Sequence, residues 1–342
     1  MKSEMKAAIY YGKNDIRVEE KSIPVVAPKD VLVKNLCGGI CGTDINIVKV
    51  GKGDMGIRLG SEFGHEMVGD VVEIGSEVSP QIKVGMRVGI NPITAKKVGR
   101  RLSLECSGFS QYVLVEDAEL NYNLYEIDKS VPLEVASLLE PMAVGRHGAF
   151  SANPQPTDNI VVLGAGPIGL LAAASLIAEG MNNVCVVDID EWRLAKAAGI
   201  GAVTVNTAET TLEEGLAAHF GTVNVYGLDV PNVDVFIDAA GAPALFESVM
   251  RIVKPEARIS IIAVYKTEVP VSLHQVMSKE VQIKGSSGYT HEDFCKVVEH
   301  LKNFKSELST LTTQVYKLDD IQEAFNKAID AKETVKVVVD LT

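Results

Sequence analysis

Two groups of residues in this 342-residue chain combine types and spacings that suit chemistry. The first is Gly164-Ala165-Gly166-Pro167-Ile168-Gly169, set between the apolar run Ile160–Leu163 and a long apolar stretch that begins at Ile168. In a strand-to-helix turn of this kind, Gly164 permits the tight turn and Gly166 lets backbone approach a pyrophosphate. Gly169 lets the helix pack closely on the sheet, with its N-terminal N–H groups facing the phosphates. Asp188 ends the next apolar run, where a carboxylate accepts hydrogen bonds from ribose hydroxyls and repels a 2′-phosphate, so NAD is expected rather than NADP. The competing reading makes Asp188 a cap of the helix that follows. Arg193 either flanks the adenine or sits solvated. The second group is Cys41 in Gly39-Ile40-Cys41-Gly42-Thr43-Asp44, His65 and Glu66 in Gly64-His65-Glu66-Met67, and Glu140 in Leu138-Leu139-Glu140-Pro141. Thiolate, imidazole and carboxylate together suit zinc, and three protein ligands leave a position open for water or substrate. Singly, Cys41 reads equally as a small buried hydrophobe, His65 as a core histidine and Glu140 as a helix-end carboxylate.

These residues need elements to hold them. Up to residue 150 the chain reads as short strands bounded by Gly or Pro: Val31–Leu36, Val68–Ile74, Val84–Gly89 and Tyr112–Val115. This pattern predicts an irregular, mostly antiparallel β domain. After the polar connector Ser151–Pro156 strands and helices alternate. Strands are expected at Ile160–Leu163, Val184–Val187, Val203–Val205, Val235–Ile237 and Ile259–Ile262, and helices at Ile168–Glu179 and Glu191–Ala198. Such alternation predicts an α/β fold with a doubly wound parallel Rossmann sheet. Helices at His291–Lys302 and Ile321–Ala331 precede a last strand, Val335–Val339, that is free to return to the first domain.

Composition narrows the function classes. An apolar content of 46% and a charged content of 23% belong to a globular chain, and a net charge of -12 disfavours a nucleic-acid partner. The start Met1-Lys2-Ser3-Glu4 does not lead into an apolar leader, and the longest apolar stretch, Ile168–Ala178, is too short to span a bilayer. Five scattered cysteines, Cys37, Cys41, Cys106, Cys185 and Cys295, fit a reducing compartment. A cytoplasmic protein without a membrane or nucleic-acid partner is the expectation.

The Gly-Ile-Cys-Gly-Thr-Asp, Gly-His-Glu and Leu-Glu-Pro segments, with the glycine turn, resemble the zinc-dependent medium-chain dehydrogenase/reductase family. The likeness is to its polyol and secondary-alcohol branch, which holds sorbitol, threonine and 2,3-butanediol dehydrogenases, and runs from Met5-Lys6-Ala7-Ala8 to the C-terminal strand. It implies a GroES-like catalytic domain over 1–150, completed by 291–342, and a Rossmann NAD-binding domain over 151–290. It implies one catalytic zinc on Cys41, His65 and either Glu66 or Glu140, with Asp44 orienting the histidine. Thr43 matches the hydroxyl that passes the substrate proton toward the cofactor ribose and water. The implied reaction is reversible oxidation of a secondary alcohol to a ketone by hydride transfer to NAD, with zinc lowering the pKa of the substrate hydroxyl. A homodimer or homotetramer joined at the Rossmann sheet edge is expected on the same ground.

Two departures stand out. The stretch from Asn91 to Ser110, where many relatives carry four closely spaced cysteines for a structural zinc, has Cys106 alone, so no such site is expected. Asn46 occupies the place of a relay histidine and cannot titrate. A zinc-free NAD(P)H reductase of the same superfamily is disfavoured by Cys41 and His65, and a non-enzymatic NADH-binding protein by the retained metal set and Thr43. The segments Ile262–Tyr265 and Lys284–Tyr289 look most like those of the butanediol and polyol enzymes. A diol, polyol, inositol or threonine remains open as the small-molecule substrate. A sugar phosphate would draw on Lys49, Lys52, Arg58 or Arg146, which read equally as solvated surface.

Overall fold

The computed structural model describes residues 3–51, 57–97, 100–101 and 106–342. Two compact units divide the chain: Met1–Pro141 with Phe294–Thr342, and Met142–Asp293. Lys52 and parts of the Asn91–Ser110 stretch lie outside the described residues.

The first unit is β-rich. Among the described residues its main sheet has seven strands, in the order Leu124–Glu126, Arg87–Ile90, Glu66–Ile74, Val31–Gly39, Lys336–Asp340 and Thr312–Lys317, with Tyr112–Val115 also paired to Val31–Gly39. Neighbours are antiparallel except the last two strands, which run parallel. The C-terminal strand therefore lies inside the sheet, and its Val-Val-Val run is buried as a central strand requires. A second sheet joins Asp15–Ser22, Glu4–Gly12 and Ser61–Glu62. The sequence reading places no strand over these first two segments; in Asp15–Ser22 the apolar residues are diluted by charge. The core beneath the metal-ligand segments contains Tyr10, Ile47, Phe63, Phe109 and Phe325. Phe63 and Phe109 meet edge to face with centroids 5.0 Å apart, a geometry that adds about 1 kcal/mol to the burial itself.

One expected strand is partly wrong. Val84-Gly85-Met86 forms a turn, with Gly85 at φ +86°, and the strand begins only at Arg87. Val84 is exposed there. A glycine in the left-handed region ended a run that hydrophobicity alone would extend.

The second unit is a six-stranded parallel sheet in the order Val203–Asn206, Asn183–Asp188, Asn159–Leu163, Val235–Asp238, Arg258–Ile261 and Gln282–Gly285. The order reverses between Asn159–Leu163 and Val235–Asp238, the crevice where α/β sheets bind ligands. The helix Pro167–Ala178 is apolar all round and buried over Gly169–Leu176, as a helix covered on several sides must be. The helix Leu139–Ser151 approaches it so closely that a Cβ on Gly145 would lie 2.8 Å from the Ala172 nitrogen. The hairpin Thr222–Val225 with Leu228–Pro231 and the edge strand Gln282–Gly285 were not foreseen.

Candidate metal centre and dinucleotide site

The metal-ligand types converge through strand register. Pairing of Val31–Gly39 with Glu66–Ile74 sets Gly39 opposite Glu66. Cys41, just past the first strand, and His65, just ahead of the second, therefore come to one end of the sheet. The ligand atoms of Cys41, His65 and Glu66 all lie within 4.8 Å of one another. Cys41 is half-buried, while His65 and Glu66 are buried. Gly64 turns the chain into His65 at φ +90°, and a Cβ there would press on the Phe109 ring at 2.7 Å. Glu140 is also buried, and its charge acts on His65, but it stands outside this close set.

Asp44, in the first turn of the helix Gly42–Val50, is fully buried. Its Oδ2 accepts from the Cys41 backbone N–H at 2.9 Å, and its Oδ1 lies 3.6 Å from His65 Nδ1. The same carboxylate thus anchors one ligand segment and faces the other. Thr43, half-buried, and the exposed Asn46 share this helix.

Lys336 was missed, although a lone lysine in a run of valines is a visible anomaly. It is 3% exposed; its Nζ pairs with Glu66 Oε2 and donates to the Ile40 carbonyl at 3.0 Å. Gly39 makes room for the pair, since a Cβ on it would overlap the Glu66 carboxylate and sit 2.8 Å from Lys336 Cε.

The electrostatics fit a cation. Burial by itself would lower the His65 pKa, yet Asp44, Cys41 and Glu140 together hold it well above the ordinary histidine value. Burial works the same way on Lys336 and is likewise overcome, by Glu66 and Cys41. Asp44 is pushed up by its own burial. Glu66 Oε1, His65 Nδ1 and Asp44 Oδ1 are buried without a hydrogen-bond partner. His65 Nδ1 and Asp44 Oδ1 face each other, whereas Glu66 Oε1, left unpaired beside a thiol and an imidazole, is what a dication binding there would satisfy.

In the second unit, Gly164 takes φ +96°, with Ala240 3.1 Å from where its Cβ would be. A Cβ on Gly169 would overlap the Gly164 carbonyl oxygen, which accounts for glycine there. Gly166 differs. Its Cβ would meet only the Arg193 guanidinium, at 4.0 Å, so the space above it is open to a ligand. Gly166 is also the N-cap of Pro167–Ala178, where no side chain caps the helix and no acid occupies the first turn. Pro167 at the first helical position has no N–H, so the N–H groups of Ile168 and Gly169 are the ones this end of the helix offers an anion.

Asp188 reaches back to this loop. Its Oδ2 accepts from Ala165 N–H at 2.6 Å, and its Oδ1 from Ile189 and Asp190 N–H at 2.7 and 3.0 Å. The cap of the next helix is Asp190, which accepts from Arg193 N–H at 3.2 Å, so the capping alternative for Asp188 fails. Arg193 stands half-buried beside Gly166. Arg146 is no phosphate ligand: it is buried, bonded twice to Glu179 and once to Asp293. Lys49 and Arg58 are exposed.

Known protein families match both halves of the chain. Residues 27–123 match the alcohol dehydrogenase GroES-like domain, and residues 167–303 match the zinc-binding dehydrogenase family. The sorbitol dehydrogenase of Bacillus subtilis is 30% identical over 98% of this chain and 97% of its own length. The chain belongs to the zinc-type medium-chain dehydrogenase family, polyol branch. It is an oxidoreductase whose family works with zinc and a nicotinamide cofactor. The crystal structure of 2R,3R-butanediol dehydrogenase from Bacillus subtilis superposes with a TM-score of 0.84 at 27% identity, covering 99% of this chain and 100% of the other. An alcohol dehydrogenase from Escherichia coli, solved with NADH, superposes with a TM-score of 0.83 at 26% identity over 99% and 100% of the two chains. Among the described residues no helix of this enzyme is long and apolar enough to cross a membrane.

Proposed function

We propose that the enzyme oxidises a small secondary alcohol, a diol or polyol, to a ketone with NAD, and catalyses the reverse. The observation that carries this reading is the cluster of Cys41, His65 and Glu66, with the buried Glu66 Oε1 left unpaired within it. The sorbitol and butanediol specificities of its relatives support the substrate class. Cys41, His65 and Glu66 would hold a single zinc, which when bound would supply a Lewis acid for the substrate hydroxyl. NAD, when bound at the Gly164–Gly169 loop, supplies the hydride acceptor.

The remaining work belongs to the chain. Asp44 keeps His65 and the Cys41 backbone in place from one buried carboxylate. Lys336 holds Glu66 Oε2, and Oε1 would be the oxygen left to hold the metal. Thr43 Oγ1 takes the substrate proton and passes it on by a route that does not end at residue 46, because Asn46 carries no titratable group. Asp188 presents a negative charge to the adenosine ribose and so disfavours a 2′-phosphate. We further infer a cytoplasmic homodimer or homotetramer, on the family resemblance.

The test is reduction of NAD and NADP across diols, polyols, inositols and threonine, with metal content measured on the same sample. Cys41→Ser is expected to lose zinc and turnover while NADH still perturbs the fluorescence of Trp192, the chain's one tryptophan. Full turnover in Cys41→Ser, or in metal-free enzyme, would sink the proposal.

A further inference from the structure

Asp238 closes the strand on the far side of the sheet's reversal point and is 1% exposed. Its Oδ1 accepts from the backbone N–H groups of Ala240 and Gly241, each at 3.0 Å, and its Oδ2 accepts from the Tyr265 hydroxyl. Its carbonyl oxygen accepts from Ile262 and Ala263 N–H at 2.9 and 3.0 Å. One residue therefore joins the turn 239–241, after its own strand, to the turn 262–265, after the neighbouring strand Arg258–Ile261. Burial and the Asp238 carboxylate both raise the Tyr265 pKa, so the hydroxyl stays protonated and donating.

Position gives these bonds a purpose. A doubly wound sheet binds one mononucleotide on each side of the reversal, outside the carboxyl ends of its strands. Asp188 marks the adenosine side. The strands Val235–Asp238, Arg258–Ile261 and Gln282–Gly285 form the other side, and Ala240 in the tied turn borders Gly164 of the phosphate loop. The geometry points to the Asp238–Tyr265 pair as a latch that positions the nicotinamide half of the cofactor. It does so by fixing the two turns that wall that half, without touching the reacting atoms. This inference rests on the reading of the glycine loop as a nicotinamide-dinucleotide site.

The experiment is Tyr265→Phe in the full-length, zinc-loaded enzyme, with NADH and AMP titrated separately by calorimetry. AMP probes the adenosine side alone. The latch predicts NADH affinity weakened roughly tenfold, the cost of one lost bond to a buried carboxylate, with AMP affinity unchanged. It also predicts that kcat at saturating NAD falls less than kcat/KM. Wild-type NADH affinity in Tyr265→Phe would overturn the proposal. So would equal weakening for AMP, whether from general loosening or failure to fold, because the bond would then serve the fold as a whole. Absence of NADH binding by the unaltered enzyme would instead remove the cofactor reading, and the latch with it.

Discussion

Beside the candidate metal cluster, Gly39 carries no ligand atom and yet has little freedom to change. Gly39 leaves a gap that the Glu66 carboxylate and Lys336 fill, and both are too buried to retreat into water. Gly39→Ala should therefore displace Glu66, lowering zinc per chain and cutting turnover by about tenfold or more, as disturbed supports of metal ligands do. Elemental analysis beside a turnover assay checks this; full zinc occupancy would show that Glu66 can move aside. On the cofactor side, the proposed NAD preference makes Asp188 the charge that would oppose a 2′-phosphate, and Asp188→Ser removes it. The ratio of kcat/KM for NAD over NADP is expected to fall on the order of tenfold. An unchanged ratio would place cofactor choice elsewhere, with Arg193 the first residue to test.

At the scale of elements, the α/β unit is held by charge as well as by apolar packing. Arg146, on the helix Leu139–Ser151, bonds Glu179 and Asp293, and Asp293 in turn accepts from Thr290 at 2.7 and 2.6 Å and meets His147 Nδ1 at 2.8 Å. Asp293 is 3% exposed. Its burial would raise its pKa, but Thr290, Arg146 and His147 prevail and hold it below the ordinary aspartate value. A carboxyl depressed on folding stabilises fully above its unfolded pKa of about 4, and that contribution disappears as pH falls through the folded pKa. Asp293→Ala should cost about 3 kcal/mol near neutral pH, because it leaves Arg146 short of a partner. Thermal melts should show the gap between variant and native enzyme closing as the pH drops below about 4. A constant gap would assign the loss to packing.

For the whole molecule, the order of the chain and the order of the sheet disagree, and stability follows the sheet. Lys336–Asp340 lies between Val31–Gly39 and Thr312–Lys317, so residues 336–340 complete the sheet at whose end Cys41, His65 and Glu66 meet. Removing residues 336–342 is expected to abolish zinc binding and cooperative unfolding, read by metal analysis and circular dichroism. A truncated chain that still binds zinc would show the site to be independent of the closing strand. Pairing between ends of the chain this distant is slow to form, because loop closure must precede any reward from contact.

What the sequence by itself determined is what contiguous residues can carry. The glycine turn, its flanking strand and helix, and the βα alternation are local, because each is written within a few turns of chain. Cys41 and His65 were legible as ligand types for the same reason, helped by resemblance to a family pattern. The tertiary structure decided what depends on register between remote strands. It brought Glu66 rather than Glu140 into the close set and put Lys336 against Glu66. It also joined Asp238 to Tyr265. A shift of one residue in pairing turns every side chain to the opposite face of the sheet, so no spacing along the chain can supply these contacts.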